Sequence, residues 1–390
     1  MGLNLMRAPA TANQKNADCW PNREQEALLK AALLQGEECV EALREWESCS
    51  SMDDLDQGSF RLLPHLHHNL EQQGIDHPLM PTWKGIRRRA WYQNRMLFHK
   101  MAPAVERLQK AGIEVMLLKG GALALHYYAD PGVRPMHDLN ILIPEKRALD
   151  ALNLIKQDGW SLTTWAPRVW TETFLSFRDS VALQDQNEQN LELHWHVMYQ
   201  ACQPGQDRIF WDAALPLDFM GIRTNVLCPT DELLHACVRG IKRSPIPAVR
   251  WVADCMTILR SSSEIDWGRL FHLARDLHVS IPLSYGLTYL KDTFHAAIPE
   301  TLLQSLKNVP ASGSERLYYY RLACPLEGSP PLDRLRILYW RYLHTTARGG
   351  VFRRYFAGFL PFLQFHWGLR SPWLVAPHVF RRARGRILGS

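Results

Sequence analysis

Between Ile113 and Leu118 the chain changes its hydrophobic period, and that change limits the folds open to it. Upstream, REQEALLKAALLQGEECVEALREWE, HLHHNLEQQ and TWKGIRRRAWYQNRMLFHKMAPAVERLQKAG place apolar residues three and four apart, the spacing of helices, with a stop at Gly112. IEVMLL is instead a short unbroken apolar run, cut off by Lys119-Gly120-Gly121 before ALALHYYA resumes a helical pattern. A strand that enters a helix so abruptly needs partner strands. The chain supplies ILI at 141–143 and two alternating runs around the polar turn QDQNEQN, which reads as a hairpin. Between these lies PEKRALDALNLIKQDGW, a helix opened by proline and closed by Gly159. From Thr230, read as an N-cap ahead of Asp231 and Glu232, the pattern is helical again. The expected fold is therefore α+β, a small mixed sheet embedded between N-terminal and C-terminal helical regions. The expected bounds are a leader at 1–22, helices at 23–112, an α/β core at 113–200, helices at 201–330 and an arginine-rich aromatic tail at 331–390.

Bulk properties exclude some classes. Hydrophobic content of 46% is ordinary for a globular chain. The longest apolar run, Tyr355 to Phe365, falls short of the roughly 20 residues that span a bilayer. MGLNLMRAPATANQKNAD lacks the apolar core and cleavage site of a signal peptide and reads as a mobile leader. Eight cysteines form no CxxC pair, which points to a reduced, cytoplasmic protein. Charge is lopsided. Of 45 basic residues, eleven arginines follow Asp333, the last acid, leaving 34 basic against 39 acidic residues before it. Interleaved with Trp340, Tyr342, Phe352, Tyr355 and Trp367, those arginines suit an anionic partner or a membrane surface, or else the solvated face of a packed helix pair.

Three pieces carry residue types suited to phosphoryl chemistry. Gly120 and Gly121 stand where a strand gives way to a helix, so that backbone N–H groups and the helix dipole can meet a phosphate; the spacing is not that of a Walker A loop. Asp138 and Asn140 sit two apart at a strand entrance and so share a face. In LELHWHV the same alternation puts Glu192, His194 and His196 on one side. Two histidines without a third ligand make a poor zinc site.

The order and spacing of VMLLKGGALALHYYADPGVRPMHDLNILIP, LELHWHV, LCPTDELLHACVRGIKR and RWVADCMTIL resemble the bacterial family of uncharacterised nucleotidyltransferases, of the DNA polymerase β-like superfamily. The resemblance implies that Gly120 and Gly121 cradle a nucleoside triphosphate and that Lys119 and Arg134 neutralise its phosphates. It implies that Asp138, Asn140 and Glu192 are the catalytic, metal-holding set, with Glu192 helping to activate the incoming hydroxyl. The cofactor would be Mg2+ (or Mn2+), typically two ions roughly 3.5–4 Å apart on a carboxylate cluster. His194, His235 and Arg239 are candidates for the acceptor side. Asn140 departs from the family's second aspartate and removes one formal charge. The implied activity is transfer of an NMP group from an NTP to an acceptor, a small molecule, peptide or protein. The alternatives are a nucleotide-binding scaffold that has lost catalysis, and an adaptor acting through the arginine-rich tail.

Overall fold

A computed structural model describes residues 19–163, 175–242, 249–261, 264–323, 331–345 and 358–379. Five helices come first: α1 (Arg23–Leu33), α2 (Gly36–Cys49), α3 (Gln57–Phe60), α4 (Leu63–Gln73) and α5 (Met80–Lys110). Gly112, at φ +68, supplies the left-handed turn that ends the long α5. β1 (Met116–Leu118) then runs straight into α6 (Lys119–His126). After β2 (Asp138–Leu142) and α7 (Ala148–Gln157) come β3 (Ser161–Leu162), β4 (Ser180–Gln184) and β5 (Asn190–His194), the last two forming the expected hairpin.

The sheet continues past residue 200, where none was expected. β6 (Leu215–Phe219) and β7 (Ile222–Val226) form a second hairpin, closed by Met220 and Gly221, both at positive φ. Two consecutive left-handed residues suit the twist of a two-residue hairpin loop. Methionine in the first of them hides the turn from a reading that looks for Asn-Gly or Asp-Gly. The seven strands run in the order β3-β4-β5-β2-β1-β7-β6. β1 is antiparallel to β2 and parallel to β7, and β2 is parallel to β5. The architecture is α+β with a mixed sheet, as the sequence led us to expect.

Alternation in the strands sends their residues to two different cores. Leu117, Leu139, Ile141, Leu191 and Leu193 pack with Leu97, Val105 and Leu108 of α5 and with Ala151, Leu152 and Ile155 of α7. Met116, Leu118 and Leu142 face the other way, into a core shared by α1, α2, α4 and the helices from Pro229 to Lys307. The N- and C-terminal helical regions are thus one layer. Trp20 stands edge-on to Trp251 and Tyr289, with centroids 5.9 and 5.4 Å apart, and the Trp251 indole donates to the Cys19 carbonyl at 3.3 Å. Cys19 and Trp20, expected inside a mobile leader, are buried here for that reason; residues 1–18 lie outside the described residues.

The helix Pro229–Gly240 starts two residues earlier than expected, with Pro229 at its first position and Cys228 as N-cap. The hydroxyl of Thr230 instead accepts from the Asp266 N–H at 2.9 Å. In the tail, Trp340 stacks on Tyr318 with centroids 4.3 Å apart, and the Arg341 guanidinium lies 4.5 Å over the Tyr199 ring. Tyr342, Phe362 and Phe365 form a separate cluster with Phe177. Arg348, Arg353, Arg354, Arg381, Arg382, Arg384 and Arg386 lie outside the described residues. Among the described residues no helix is long and apolar enough to cross a membrane.

Candidate active site

Strand register assembles the site. Leu118 pairs with Asn140 and Asn140 with Glu192, so adjacent strands carry a row of side chains on the face turned toward the helical layer. Lys119, the next residue after β1, is held at φ 52. This conformation costs a non-glycine residue roughly 1–3 kcal/mol and persists where its surroundings fix it. The side chain shows what fixes it. The Lys119 ammonium donates to Asn140 Oδ1 and to Glu192 Oε2, both at 2.6 Å. Asn140 in turn donates from Nδ2 to Asp138 Oδ2 at 2.9 Å, and the Ser180 hydroxyl donates to the other Glu192 oxygen at 2.8 Å.

Electrostatics follow from this packing. Burial pulls the Lys119 ammonium down to about 8, with Arg239 adding to the effect and Glu192 and Asp138 opposing it. Burial works against ionisation of Glu192, but His194 beside it and the Lys119 and Arg239 cations overcome this and hold the carboxyl well below its usual range. His194 is fully buried, and burial together with Lys119 lowers its pKa. Its Nε2 lies 3.2 Å from Asn140 Oδ1, which places it in the same network rather than on a separate acceptor wall. His196 leaves the face altogether and pairs through Nδ1 with Asp207.

The glycine pair has packing duties. A Cβ on Gly120 would lie 2.7 Å from Arg134 Nη1 and 2.9 Å from Met136 Sδ, and one on Gly121 would lie 2.8 Å from Leu139 Cδ1. Both glycines let β2 and its approach close onto α6, and Gly120 also borders the cleft. Arg134 is engaged too. Its Nε and Nη2 donate to the two oxygens of Asp254 at 2.7 and 2.8 Å, and the Tyr128 hydroxyl donates to the same carboxylate at 2.9 Å. Only Nη1 remains without a partner.

Above this row opens a cleft of about 300 Å³, lined among others by Arg61, Lys119, Asp138, Glu232, His235, Arg239 and Arg250. The structure therefore brings together Lys119, Gly120, Arg134, Asp138, Asn140, His235 and Arg239, with Glu192 and His194 directly behind Lys119. The sequence reading passed over Arg61, Arg250 and Glu232. No ion pair to Arg61 or Arg250 exists among the described residues, and Arg250 donates only to the Pro135 carbonyl, at 2.6 Å. Burial, with Arg134 nearby, lowers the Arg250 guanidinium to about 10. Glu232 is fully buried; burial and the neighbouring Asp254 push its carboxyl up to about 8, against the pull of Arg134. A helix-face count from His235 and Arg239 back by three and seven would have found it.

The oxygens of Asn140 and Glu192 converge on one cation position, which the Lys119 ammonium holds. Among the described residues no three His, Cys, Asp or Glu side chains form a metal cluster, and one member of the expected set, Asn140, is an amide. Asp138, Asn140 and Glu192 are hard oxygen donors of the kind Mg2+ takes; the Asn140 and Glu192 oxygens meet at the Lys119 ammonium, and Asp138 faces the other end of the Asn140 amide.

No curated protein matches the sequence. Among solved structures the chain is similar to one described as an antigenic nucleotidyltransferase-like protein from Paracoccidioides brasiliensis. The identity is 16% over 53% of this chain and 95% of that one, with a TM-score of 0.37. Residues 59–295, from the helices before the sheet to those beyond the cleft, match the family described as uncharacterised nucleotidyltransferase, and the chain belongs to that family.

Proposed function

We propose that the protein binds a nucleoside triphosphate in the cleft and transfers its NMP group to an acceptor. One observation carries this reading. Asp138, Asn140, Glu192 and Lys119 meet at the strand ends beneath a cleft whose walls hold Arg61, Arg239 and Arg250. Nucleotidyl transfer needs placement and charge neutralisation more than covalent help. Arg61, Arg239 and Arg250 draw the triphosphate into the cleft. Lys119, released from Asn140 and Glu192, follows the phosphates, and the Gly120 backbone leaves them room. Asp138, Asn140 and Glu192 would hold Mg2+ or Mn2+, which supplies neutralisation of the charge that builds on the transferred group. Glu192 acts as ligand and counter-charge, since a carboxyl held so far below its usual range is a weak proton acceptor.

The Lys119–Asn140 contact favours a second reading, a nucleotide-binding scaffold in which an internal ammonium replaces the metal ion. A transfer assay with α-labelled ATP, GTP, CTP and UTP separates the two. Label transferred by the native protein and lost in Asp138→Ala supports the enzyme. Binding without transfer, in the native protein and in Asn140→Asp alike, supports the scaffold. The tail adds a proposed anionic contact: Trp373 is 87% exposed beside Arg370, and salt-sensitive binding to anionic surfaces would reveal it.

A further inference from the structure

The helix Pro229–Gly240 turns Glu232, His235 and Arg239 toward the cleft at helical spacing. Arg239 marks the end near the strand row, with Nη1 3.5 Å from Asp179 Oδ2. Glu232 marks the other end, beside the Arg134–Asp254 pair. Among the described residues, four buried polar atoms there have no hydrogen-bond partner: both carboxyl oxygens of Glu232, Nε2 of His235 and Nη1 of Arg134. The three side chains are 0%, 1% and 5% exposed, and all of them line the same cavity. A buried polar atom left unpaired is costly, so four around one space mark a place that a ligand completes.

The mixture of atoms constrains that ligand. Arg134 Nη1 only donates. Glu232, protonated at neutral pH, offers one donor and one acceptor, and the neutral His235 ring offers Nε2 while Nδ1 lies 3.8 Å from Glu232 Oε1. A phosphate or carboxylate, which only accepts, would leave the Glu232 carbonyl oxygen facing another oxygen. An ammonium, which only donates, would face the Arg134 guanidinium with Arg250 and Arg239 behind. A hydroxyl both donates and accepts, and neighbouring hydroxyls satisfy the whole set at once.

We propose that Glu232, His235 and Arg134 Nη1 form the acceptor subsite, and that it takes a neutral polyhydroxylated ligand, a sugar or polyol. This rests on the nucleotidyl-transfer reading for its role, though not for its chemistry. The same hydroxyl chemistry exists in the ribose of a bound nucleotide, so the test separates the two sources.

The experiment is saturation-transfer NMR on the full chain with D-glucose and myo-inositol. Glucuronate, glucosamine and nicotinamide serve as acidic, cationic and amide-bearing counterparts, and ATP and 2′,3′-dideoxy-ATP are run separately. The expected result is binding of glucose or myo-inositol above all three counterparts. Loss of a hydrogen-bonding partner in Glu232→Leu should weaken it by about tenfold or more, while Glu232→Gln, which keeps a donor and an acceptor, should stay within about threefold. No binding of either neutral probe, equal binding in Glu232→Leu, or a preference for any counterpart overturns the proposal. So does a Glu232→Leu effect confined to ATP and absent with dideoxy-ATP, which would assign the subsite to ribose. If Glu232→Leu does not fold, the probe panel on the native protein and Glu232→Gln decides. ATP binding without polyol binding sinks the subsite alone, and polyol binding without ATP binding sinks the nucleotidyl-transfer reading alone.

Discussion

The Lys119 ammonium lies 2.6 Å from the Asn140 side-chain oxygen, and an equal distance from Glu192, at the point where two strands present their oxygens together. A cation of the protein's own thus stands where the proposed metal ion would bind, and the missing charge at position 140 matches its single charge. Asn140→Asp sets a carboxylate against Asp138, which now accepts the amide N–H at 2.9 Å, and a divalent cation offsets the added charge more fully than the single charge of Lys119 does. Titration calorimetry should show Mn2+ affinity raised by roughly tenfold, about 1.4 kcal/mol, in Asn140→Asp. Lys119→Met should raise it as well while weakening ATP binding. Unchanged Mn2+ affinity in both variants would refute the exchange of lysine for metal.

Arg134 and Asp254 form a buried two-pronged pair, with Tyr128 as a third partner. Asp254→Ala strands a buried guanidinium, and breaking such a pair costs on the order of 3–5 kcal/mol. Denaturant unfolding should show that loss. The double change Arg134→Met, Asp254→Leu, which removes both charges, should recover most of it. A single variant as stable as the native protein would mean the pair is hydrated and inconsequential.

Glu232 gives stability a pH dependence of predictable sign. Its folded pKa of about 8 lies above the ordinary glutamate value of 4.5, so the folded state holds the proton more tightly. Its contribution is complete below pH 4.5 and is lost as pH rises through 8, by up to about 1.4 kcal/mol per pH unit. Glu232→Gln should abolish this slope. The melting-temperature gain of the variant over the native protein should therefore grow from pH 5 to 8 and then level off. A constant difference across that range would show that Glu232 is not the group.

Two glycines should respond in opposite directions to alanine. A Cβ on Gly240 would sit 2.1 Å from Trp251 Cγ, whereas nothing lies within 4 Å of one on Gly85, exposed inside α5. Gly240→Ala should cost about 1–3 kcal/mol or more by overpacking, and Gly85→Ala should add about 1 kcal/mol of helix propensity. Calorimetric melting of the two variants checks both signs.

How much of this was legible beforehand depended on the kind of information each feature needs. Period and alternation are local, so the strand–helix junction at Lys119, the β4–β5 hairpin and the shared face of Asp138 and Asn140 could be read directly. The β6–β7 hairpin was missed because Met220 occupies a left-handed position that sequence assigns to glycine or asparagine. What the site residues touch is not local. That Arg134 is held by Asp254, 120 residues away in sequence, or that Lys119 caps Glu192, depends on pairings made by the whole sheet. Arg61 carries no motif and Glu232 reads locally as a first-turn acid; the packing of α3 and the helix Pro229–Gly240 around one cavity brings them together.

One inner strand, β1, has a bearing on how the chain is made. β1 is three residues long and finds its parallel neighbour, β7, only at Asn225 and Val226. A nascent chain emerging from the ribosome therefore carries Met116–Leu118 exposed on one edge until Val226 has been synthesised. Parallel pairings across so long a loop form late and leave sticky edges in the interval.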